Sequence, residues 1–487
     1  MTRLAEPPDP DTPVTVAIPI ASEDAMLTLG VEIAATLRRG DRVALVGDLG
    51  AGKSTLARAT LRSLAGDPAF EVPSPTFTIV QDYPELTPPV RHVDLYRVGE
   101  GDLAELGLGE GDAAELIEWP REPLPVTVAI AFAADPNARD VTITAPSAWA
   151  ARLARQRAAT AFLARAGWGE ARRQPLKTDA STRGYARVTG SATRAVLMDS
   201  PVFTPGPGSY PVRARLADGN LGAFLAMGAA LRGAGLVAPT AIAVDMTDGF
   251  LLMEDFGDDK IAGPDGIYPE RYAVAAAALA AFHEAPPELP LAGPPPYRPP
   301  MFDADLSAIE VALFPEWYQR APLDPEYAAM WRAVIEALPR DDDRLALRDF
   351  HSPNLMWLSG EEGISRIGFL DYQDAMIAPS AYDMVSLAQD ARVDVPDDVE
   401  ADLVACYLAA RPSVDPAQFR RAYHVLGAQR ATRVLGVFRR LNDRDGKPQY
   451  LAHLPRVRRA LAKNLTAEPS LAPLAAWFAT HSDVMSA

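Results

Sequence analysis

The chain has 487 residues, a formal net charge of −17, and 48% hydrophobic residues. This length predicts two or three domains with full cores, and the acidic balance argues against direct, non-specific binding to DNA or RNA. The only cysteine, Cys406, excludes an intramolecular disulfide and is expected to be buried. The sequence has no long apolar run and no apolar signal region, so we predict a cytoplasmic protein without membrane association.

A glycine-rich loop follows the predicted apolar strand at 42–46. The loop has the G-x4-G-K-S pattern and leads into an apolar-periodic helix from Thr55. In this context backbone N–H groups and a helix N-terminus bind phosphates, the lysine reaches the outer phosphates, and the serine ligates magnesium. We therefore predict an ATP and Mg²⁺ site. Its nucleotide-binding residues are predicted to be Gly47, Asp48, Gly50, Ala51, Gly52, Lys53, Ser54 and Thr55.

Two acidic residues end later strands of the same region. Further strands are predicted at 76–81, 90–95, 116–118, 126–132 and 141–144. Asp94 lies at the end of one strand and Glu118 at the end of another. Asp94 is placed to face the magnesium water shell, although a strand-end carboxylate without a function is the more frequent case.

These motifs together resemble the TsaE family, small ATPases needed to form threonylcarbamoyladenosine on tRNA. The matching segments are 47–55, 74–78, 92–97 and 117–120, and the resemblance covers about the first 145 residues. It implies that Lys53, Ser54, Asp94 and Glu118 serve ATP and magnesium, with Glu118 in the catalytic step. It also implies a switch-like segment at 74–78 and the TsaB and TsaD proteins as partners.

The composition changes near residue 148, where strands give way to an Ala/Arg/Leu helical pattern that runs to Ala166. We predict an α/β P-loop domain over 1–148, a small β lobe over 149–258 and a large helical lobe over 259–487. The helices of the last lobe are predicted at 268–284, 304–320, 325–338, 380–390, 397–410, 415–440 and 451–464.

Three polar residues in a fixed order define the second candidate site. Asp349 is followed five residues later by Asn354, and the strand-like stretch 367–370 then precedes Asp371. The protein-kinase superfold uses this order for phosphoryl transfer, because the attacking hydroxyl needs a carboxylate base and magnesium needs oxygen ligands. We interpret Asp349 as the base and Asn354 and Asp371 as magnesium ligands, whereas D-x4-N alone favours an ordinary polar turn.

A hairpin and an acidic turn predict a small nucleotide-binding lobe. The segment 179–184 fits a cover over the phosphates and fits a plain hairpin turn equally well. The apolar strand 249–253 ends at Glu254, the hinge position of the kinase superfold. We assign Ser181, Arg183 and Glu254 to the nucleotide.

The second half resembles the aminoglycoside-phosphotransferase family and, within it, the AmgK-type anomeric sugar kinases. The matching segments are 179–185, 195–201, 252–258, 347–357 and 369–375. The resemblance implies a protein-kinase-like α+β fold that spans about 149–487. It also implies ATP-dependent transfer to the C1 hydroxyl of an amino sugar, N-acetylmuramate or N-acetylglucosamine, in cell-wall recycling.

Two departures from the family pattern leave alternatives open. Leu347 stands where many relatives have histidine, and no lysine is evident in 195–199, so Arg187 or Arg194 is a candidate substitute. A different acceptor, such as choline, homoserine or an aminoglycoside, remains an alternative. So does a nucleotide-binding pseudokinase.

Several further charged residues lie near these motifs. We predict that Asp383 anchors the catalytic loop by accepting backbone N–H bonds and that His351 is structural. Arg348 is assigned either to an acidic neighbour or to the substrate. The predicted helix 415–440 carries six arginines, for which a solvated face is the ordinary interpretation, although a sugar carboxylate would fit an arginine fork. These arginines are Arg420, Arg421, Arg430, Arg433, Arg439 and Arg440.

Overall fold

The strands and helices predicted for the first 145 residues are present in the computed structural model of the chain. The structure describes residues 9–75, 78–98, 106–176, 183–190, 193–202, 206, 208–217, 220–293 and 295–484. Its contacts divide the chain into a first unit, residues 1–178 and 184–199, and a second unit, residues 179–183 and 200–487. The boundary expected at 148 stays a prediction.

The first unit is built on a seven-stranded sheet in the order β1-β7-β6-β2-β5-β4-β3. The central strand β2 is parallel to β5 and β6, and β4 is parallel to β5. The carboxyl ends of β2, β4 and β5 therefore lie at one edge of the sheet. The elements are β1 (Pro13–Ile20), α1 (Glu23–Thr36), β2 (Arg42–Val46), α2 (Lys53–Ala65), β3 (Val80–Tyr83), β4 (Val90–Asp94), β5 (Ala114–Glu118), β6 (Val126–Phe132) and β7 (Arg139–Pro146).

Several predicted boundaries in this domain are wrong. Strand β5 begins at Ala114 rather than residue 116, and β7 spans Arg139–Pro146 rather than 141–144. Helix α2 begins at Lys53 rather than Thr55, because the glycine loop ends directly in the helix. Strand β3 begins at Val80 rather than residue 76. Ile79 has a positive φ of 64°, which a strand does not allow, and Thr76 and Phe77 lie outside the described residues.

The helix after the sheet packs on the first domain. Helix α3 (Ser147–Arg165) places Trp149 and Leu153 in the same core as β2. Arg152 also donates to Asp41 at 2.8 Å. After α3, the strands β8 (Arg172–Pro175), β9 (Gly184–Thr189) and β10 (Arg194–Asp199) form an antiparallel ladder in the same unit.

The second unit is mainly helical, as predicted. Its elements are α4 (Tyr210–Arg213), α5 (Leu221–Gly233), β11 (Ala241–Asp245), β12 (Phe250–Glu254), β13 (Ala262–Gly263), β14 (Gly266–Ile267), α6 (Pro269–Glu284), α7 (Ala304–Val311), α8 (Pro325–Glu336), β15 (Asp343–Ala346), β16 (Leu355–Trp357), β17 (Ile367–Phe369), β18 (Met376–Pro379), α9 (Ala381–Ala388), α10 (Asp397–Ala409), α11 (Pro416–Asp443), α12 (Leu454–Ala467) and α13 (Ala472–His481).

The long helix α11 forms the centre of this unit. It has 28 residues, and most of its apolar side chains are buried. Gly436 allows a close approach of the chain after α7, since a Cβ there would lie 2.3 Å from the carbonyl oxygen of Leu313. The single helix predicted at 304–320 is wrong: α7 ends at Val311, and a π-helical turn follows at Phe314–Gln319.

The fold bears on two of the predictions made from composition. Cys406 is exposed, so the expectation that it is buried is wrong; it lies on the solvent face of α10. Among the helices that the structure describes, none is both long and apolar enough to cross a membrane.

Candidate active sites

The glycine loop between β2 and α2 has a shape that its glycines permit. Gly47 has a φ of 149°, and Gly50 and Gly52 also have positive φ angles. A Cβ at Gly47 would lie 2.3 Å from the carbonyl oxygen of Ile130, so a side chain does not fit there. Ala51 is fully buried, and its carbonyl accepts a hydrogen bond from Arg139 Nε at 3.0 Å. The loop is therefore held in place from the β7 side.

Lys53 is turned into this loop. Its Nζ donates to the carbonyl oxygens of Gly47 and Asp48 at 2.8 and 2.9 Å and lies 3.8 Å from the ring centroid of Trp119. Burial lowers the pKa of Lys53, and the nearby carboxylates of Glu118 and Asp94 oppose that shift. When a phosphate binds, Lys53 would give up these two carbonyl contacts and make charge-assisted hydrogen bonds to the phosphate.

Three oxygen-bearing side chains meet beside Lys53. The parallel pairing of β4 and β5 sets Asp94 opposite Glu118. Ser54 Oγ donates to Glu118 Oε2 at 2.8 Å, and His92 Nε2 lies 3.0 Å from Glu118 Oε1. A hydroxyl and two carboxylates fit magnesium, which keeps most of its waters and uses few protein ligands. The structure thus brings Lys53, Ser54, Asp94 and Glu118 together, and Thr55 lies in the first turn of α2.

His92 is a contact residue that the sequence did not predict. It is buried on β4, and it orients Glu118 by contacting the oxygen that Ser54 leaves free. The sequence feature that could have indicated His92 is its position in a short strand that ends in Asp94.

The catalytic loop of the second unit follows β15. The carboxylate of Asp383 accepts from Leu347 N at 2.6 Å and from Arg348 N at 2.9 Å, which confirms its predicted anchoring role. Arg348 has a φ of 71°, an uncommon conformation for a residue with a side chain. This anchored bend presents Asp349, whose side chain remains 28% exposed.

The three residues predicted for phosphoryl transfer adjoin one another. Asn354 Nδ2 donates to the carbonyl oxygen of Asp349 at 3.0 Å, and Leu370 N donates to the carbonyl oxygen of Asn354 at 2.9 Å. Pairing of β16 with β17 then brings the turn at Asp371 to the loop. Burial and the neighbouring Asp349 raise the pKa of Asp371. Two acids whose charges interact, with Asn354 hydrogen-bonded to the loop that carries Asp349, supply oxygen ligands of the kind that a divalent cation takes.

Among the described residues, Arg183 is a cation that contacts this site. Its NH1 lies 3.4 Å from Asp371 Oδ1, and its side chain is only 7% exposed. The suggested substitutes Arg187 and Arg194 lie on β9 and β10 in the first unit. Ser181 lies outside the described residues. Glu254 ends β12 with an exposed side chain that accepts from Thr240 N at 3.3 Å, so its side chain is turned to a neighbouring backbone group.

A buried ion cluster supports the catalytic loop. Glu310 of α7 is fully buried and receives Arg348 NH2 at 2.5 Å, Arg433 NH1 at 2.9 Å and Gln429 Nε2 at 2.8 Å. Burial raises the pKa of Glu310, but Arg433 and Arg348 outweigh it and the net shift is downward. Arg433 NH2 also lies 3.7 Å from Asp349 Oδ1. Arg348 therefore pairs with an acidic neighbour, which decides between its two assignments.

His351 is buried beside this cluster. Its Nε2 lies 4.0 Å from Asp349 Oδ1 and 3.2 Å from Arg392 NH1. Burial and the nearby Arg392 lower the pKa of His351, which keeps the imidazole neutral. Glu310 and Arg433 were not predicted to act together, because they lie more than a hundred positions apart in the chain.

Two family models match the chain. Residues 20–145 match the model described as threonylcarbamoyl adenosine biosynthesis protein TsaE, and residues 172–420 match the phosphotransferase enzyme family. An N-acetylmuramate/N-acetylglucosamine kinase of Caulobacter vibrioides is 37% identical over 66% of this chain and 96% of its own length. A protein of the same name from Pseudomonas aeruginosa is 33% identical over 63% of this chain and 89% of its own length. The tRNA threonylcarbamoyladenosine biosynthesis protein TsaE of Aquifex aeolicus is 36% identical over 26% of this chain and 92% of its own length.

Proposed function

Because the chain belongs to the TsaE family through its first part and to the phosphotransferase enzyme family through its second, we propose that it is a bifunctional protein. The first domain, residues 1–148, is an ATPase that supports threonylcarbamoyladenosine modification of tRNA. The lobes at 149–258 and 259–487 form an ATP-dependent kinase. This kinase phosphorylates the anomeric hydroxyl of N-acetylmuramate and N-acetylglucosamine in cell-wall recycling.

The observation that carries the kinase proposal is the junction of Asp349, Asn354 and Asp371. Asp349 orients the sugar C1 hydroxyl and accepts its proton as the phosphoryl group is transferred. Asn354 binds the Asp349 carbonyl through its nitrogen, which directs its other amide atom, Oδ1, away from that contact. Asn354 and Asp371 would hold magnesium, which neutralises phosphate charge when bound. Arg183 stands beside Asp371 as a further cation for the phosphates.

The kinase proposal is tested with the purified full chain, ATP and a panel of acceptors. We expect turnover of N-acetylmuramate and N-acetylglucosamine, with the new phosphate located on C1 by phosphorus and proton NMR. Turnover of choline, homoserine or an aminoglycoside in place of both sugars would support the alternative acceptor. ATP binding without transfer to any acceptor would identify a pseudokinase.

The ATPase proposal depends on the junction of Lys53, Ser54, Asp94 and Glu118. Lys53 binds the outer phosphates, while Ser54 and Asp94 face the magnesium ion. Glu118, which His92 and Ser54 orient, is the group assigned to the hydrolytic step. TsaB and TsaD are the partners proposed for this domain.

A hydrolysis assay with and without these partners tests the assignment. We expect slow ATP hydrolysis by the chain alone and a higher rate after addition of the TsaB and TsaD proteins. Chromatography of the mixture should show the chain eluting with them. A rate and an elution volume that the partners leave unchanged would contradict the assigned partners.

A further inference from the structure

Helix α3 lies outside both segments that match a family model. The first match ends at residue 145 and the second begins at residue 172, whereas α3 spans Ser147–Arg165. Its first two turns carry Trp149 and Leu153, which are buried in the core of the P-loop domain. A helix that belongs to neither matched segment is therefore part of the core of the first domain.

The rest of α3 is bonded to the first strands of the kinase match. Arg155 Nε and NH2 both donate to Oδ1 of Asp199, the last residue of β10, at 2.8 and 2.6 Å. Arg173 of β8 donates to Thr160 Oγ1 of α3 at 2.8 Å. The first compact unit accordingly contains β8, β9 and β10 together with the P-loop domain. These strands match the kinase family but make their contacts with the other domain.

A helix of the P-loop domain itself takes part in this contact. Glu32 of α1 is 6% exposed, and its Oε2 lies 3.7 Å from Arg157 Nε of α3. Burial raises the pKa of Glu32, and a hydrogen bond from Thr160 and the charges of Arg157 and Arg173 oppose that shift. One buried carboxylate of the P-loop domain therefore interacts with both α3 and β8.

The bond from α3 to β10 reaches the strand end that precedes the kinase site. The register of β9 and β10 pairs Asp199 with Gly184, and Gly184 directly follows Arg183 in the chain. Arg183 lies 3.4 Å from Asp371 Oδ1, beside the proposed magnesium site. The two hydrogen bonds from Arg155 therefore hold the strand end to which Arg183 is attached.

We propose that Arg155 and Asp199 are positioning residues of the kinase, through which the P-loop domain holds Arg183 on the nucleotide side of the phosphotransfer site. This inference rests on the proposed function of that site. The support is structural, because it depends on the packing of α3 and not on a nucleotide at the P-loop. It gives a physical reason for the two domains to share one chain, since the first domain supplies the helix to which β8 and β10 are bonded.

The test is a double-mutant cycle in the full chain. Arg155→Met should raise the KM for ATP in sugar phosphorylation about 3- to 10-fold, because Arg183 loses its fixed position. The kcat at saturating ATP and the KM for the sugar should stay near their wild-type values. Arg155→Met together with Arg183→Met should raise the KM for ATP no further than Arg183→Met alone. Arg172→Met, an exposed arginine on β8, is the matched control and should leave this KM unchanged.

A second variant keeps the test decisive if Arg155→Met does not fold. Asp199→Asn keeps the shape of the side chain, removes the charge that Arg155 binds, and should raise the KM for ATP about 3-fold. The exchange of Arg155→Asp with Asp199→Arg should return this KM toward the wild-type value. ATP hydrolysis by the first domain shows in each variant that this domain remains folded.

Three outcomes separate the inference from the proposed function. An unchanged KM for ATP in both Arg155→Met and Asp199→Asn would overturn the inference, and so would effects of Arg155→Met and Arg183→Met that multiply. Loss of ATP affinity by the kinase in Lys53→Ala would overturn the structural form of the support. Absence of sugar turnover by the wild-type chain would instead overturn the proposed function, and the inference with it.

Discussion

The candidate P-loop site and the candidate kinase site are both proposed to bind ATP phosphates, but they are assembled differently. The first is formed mostly by nine consecutive residues, with Asp94 and Glu118 added by two adjacent strands. The second gathers Asp349, Asn354 and Asp371 from one β-rich segment and then depends on helices far along the chain. Glu310 and Arg433 come from α7 and α11. A local motif therefore describes the first site almost fully and the second only in part.

The largest effect is expected at the kinase base. Asp349→Asn should lower kcat for sugar phosphorylation about 10²- to 10⁴-fold, because an amide does not accept the hydroxyl proton. ATP hydrolysis by the first domain should not change, and it serves as the internal control. A coupled assay for ADP, with and without sugar, separates the two activities. Full sugar turnover by this variant would refute the assigned base.

At the other site, Lys53→Ala should reduce ATP hydrolysis at least about 100-fold, because the loop loses its cation for the outer phosphates. Sugar phosphorylation should remain at the wild-type rate if the two sites act independently. The same ADP assay measures both. If the two activities fell together, the two sites would be coupled and would not act independently.

The buried ion cluster gives the next effect, on stability. Glu310→Gln removes the buried carboxylate that Arg348 and Arg433 share, and breaking such a buried pair costs about 3–5 kcal/mol. The measurement is the urea midpoint of the transition that abolishes sugar kinase activity. The exposed Glu336→Gln is the control and should shift the free energy of unfolding by less than about 0.5 kcal/mol.

This cluster also predicts a pH dependence. Because the folded-state pKa of Glu310 is lowered, its stabilisation is present above the unfolded value of about 4.3 and is lost as the pH falls through the folded pKa. The difference in the free energy of unfolding between the wild-type chain and Glu310→Gln should therefore become smaller in strong acid. A constant difference across the acid range would contradict a charged Glu310.

The smallest predicted effect concerns the nucleotide side of the kinase site. Arg183→Met should raise the KM for ATP about 10-fold, since one charge-assisted contact to phosphate is lost. The KM for the sugar should stay close to its wild-type value. Arg172→Met, an exposed arginine on β8, is the matched control. A rise in the sugar KM alone would place Arg183 on the acceptor side.

Most of the P-loop site was predictable because its physics is local. Position 47 has a backbone conformation and a close contact that only glycine permits. This requirement is visible in the sequence as a pattern of neighbouring glycines. Asp94 and Glu118 were found as acids at strand ends, the edge at which parallel strands meet. The start of β3 was misplaced because the turn at Ile79 resembles a strand in composition.

In the kinase half, the polar order around Asp349 and the anchoring role of Asp383 were predictable from spacing. The partner of Arg348 and the burial of Arg430 were not predictable. In the first domain, the contact of His92 with Glu118 was not predictable either. The sequence by itself determined the two families and predicted the candidate groups for their chemistry, because glycine geometry and short motif spacings act between near neighbours. Only the tertiary structure decided which charges meet: α7 and α11 are distant in sequence, and the fold brings Glu310 and Arg433 together beside the catalytic loop.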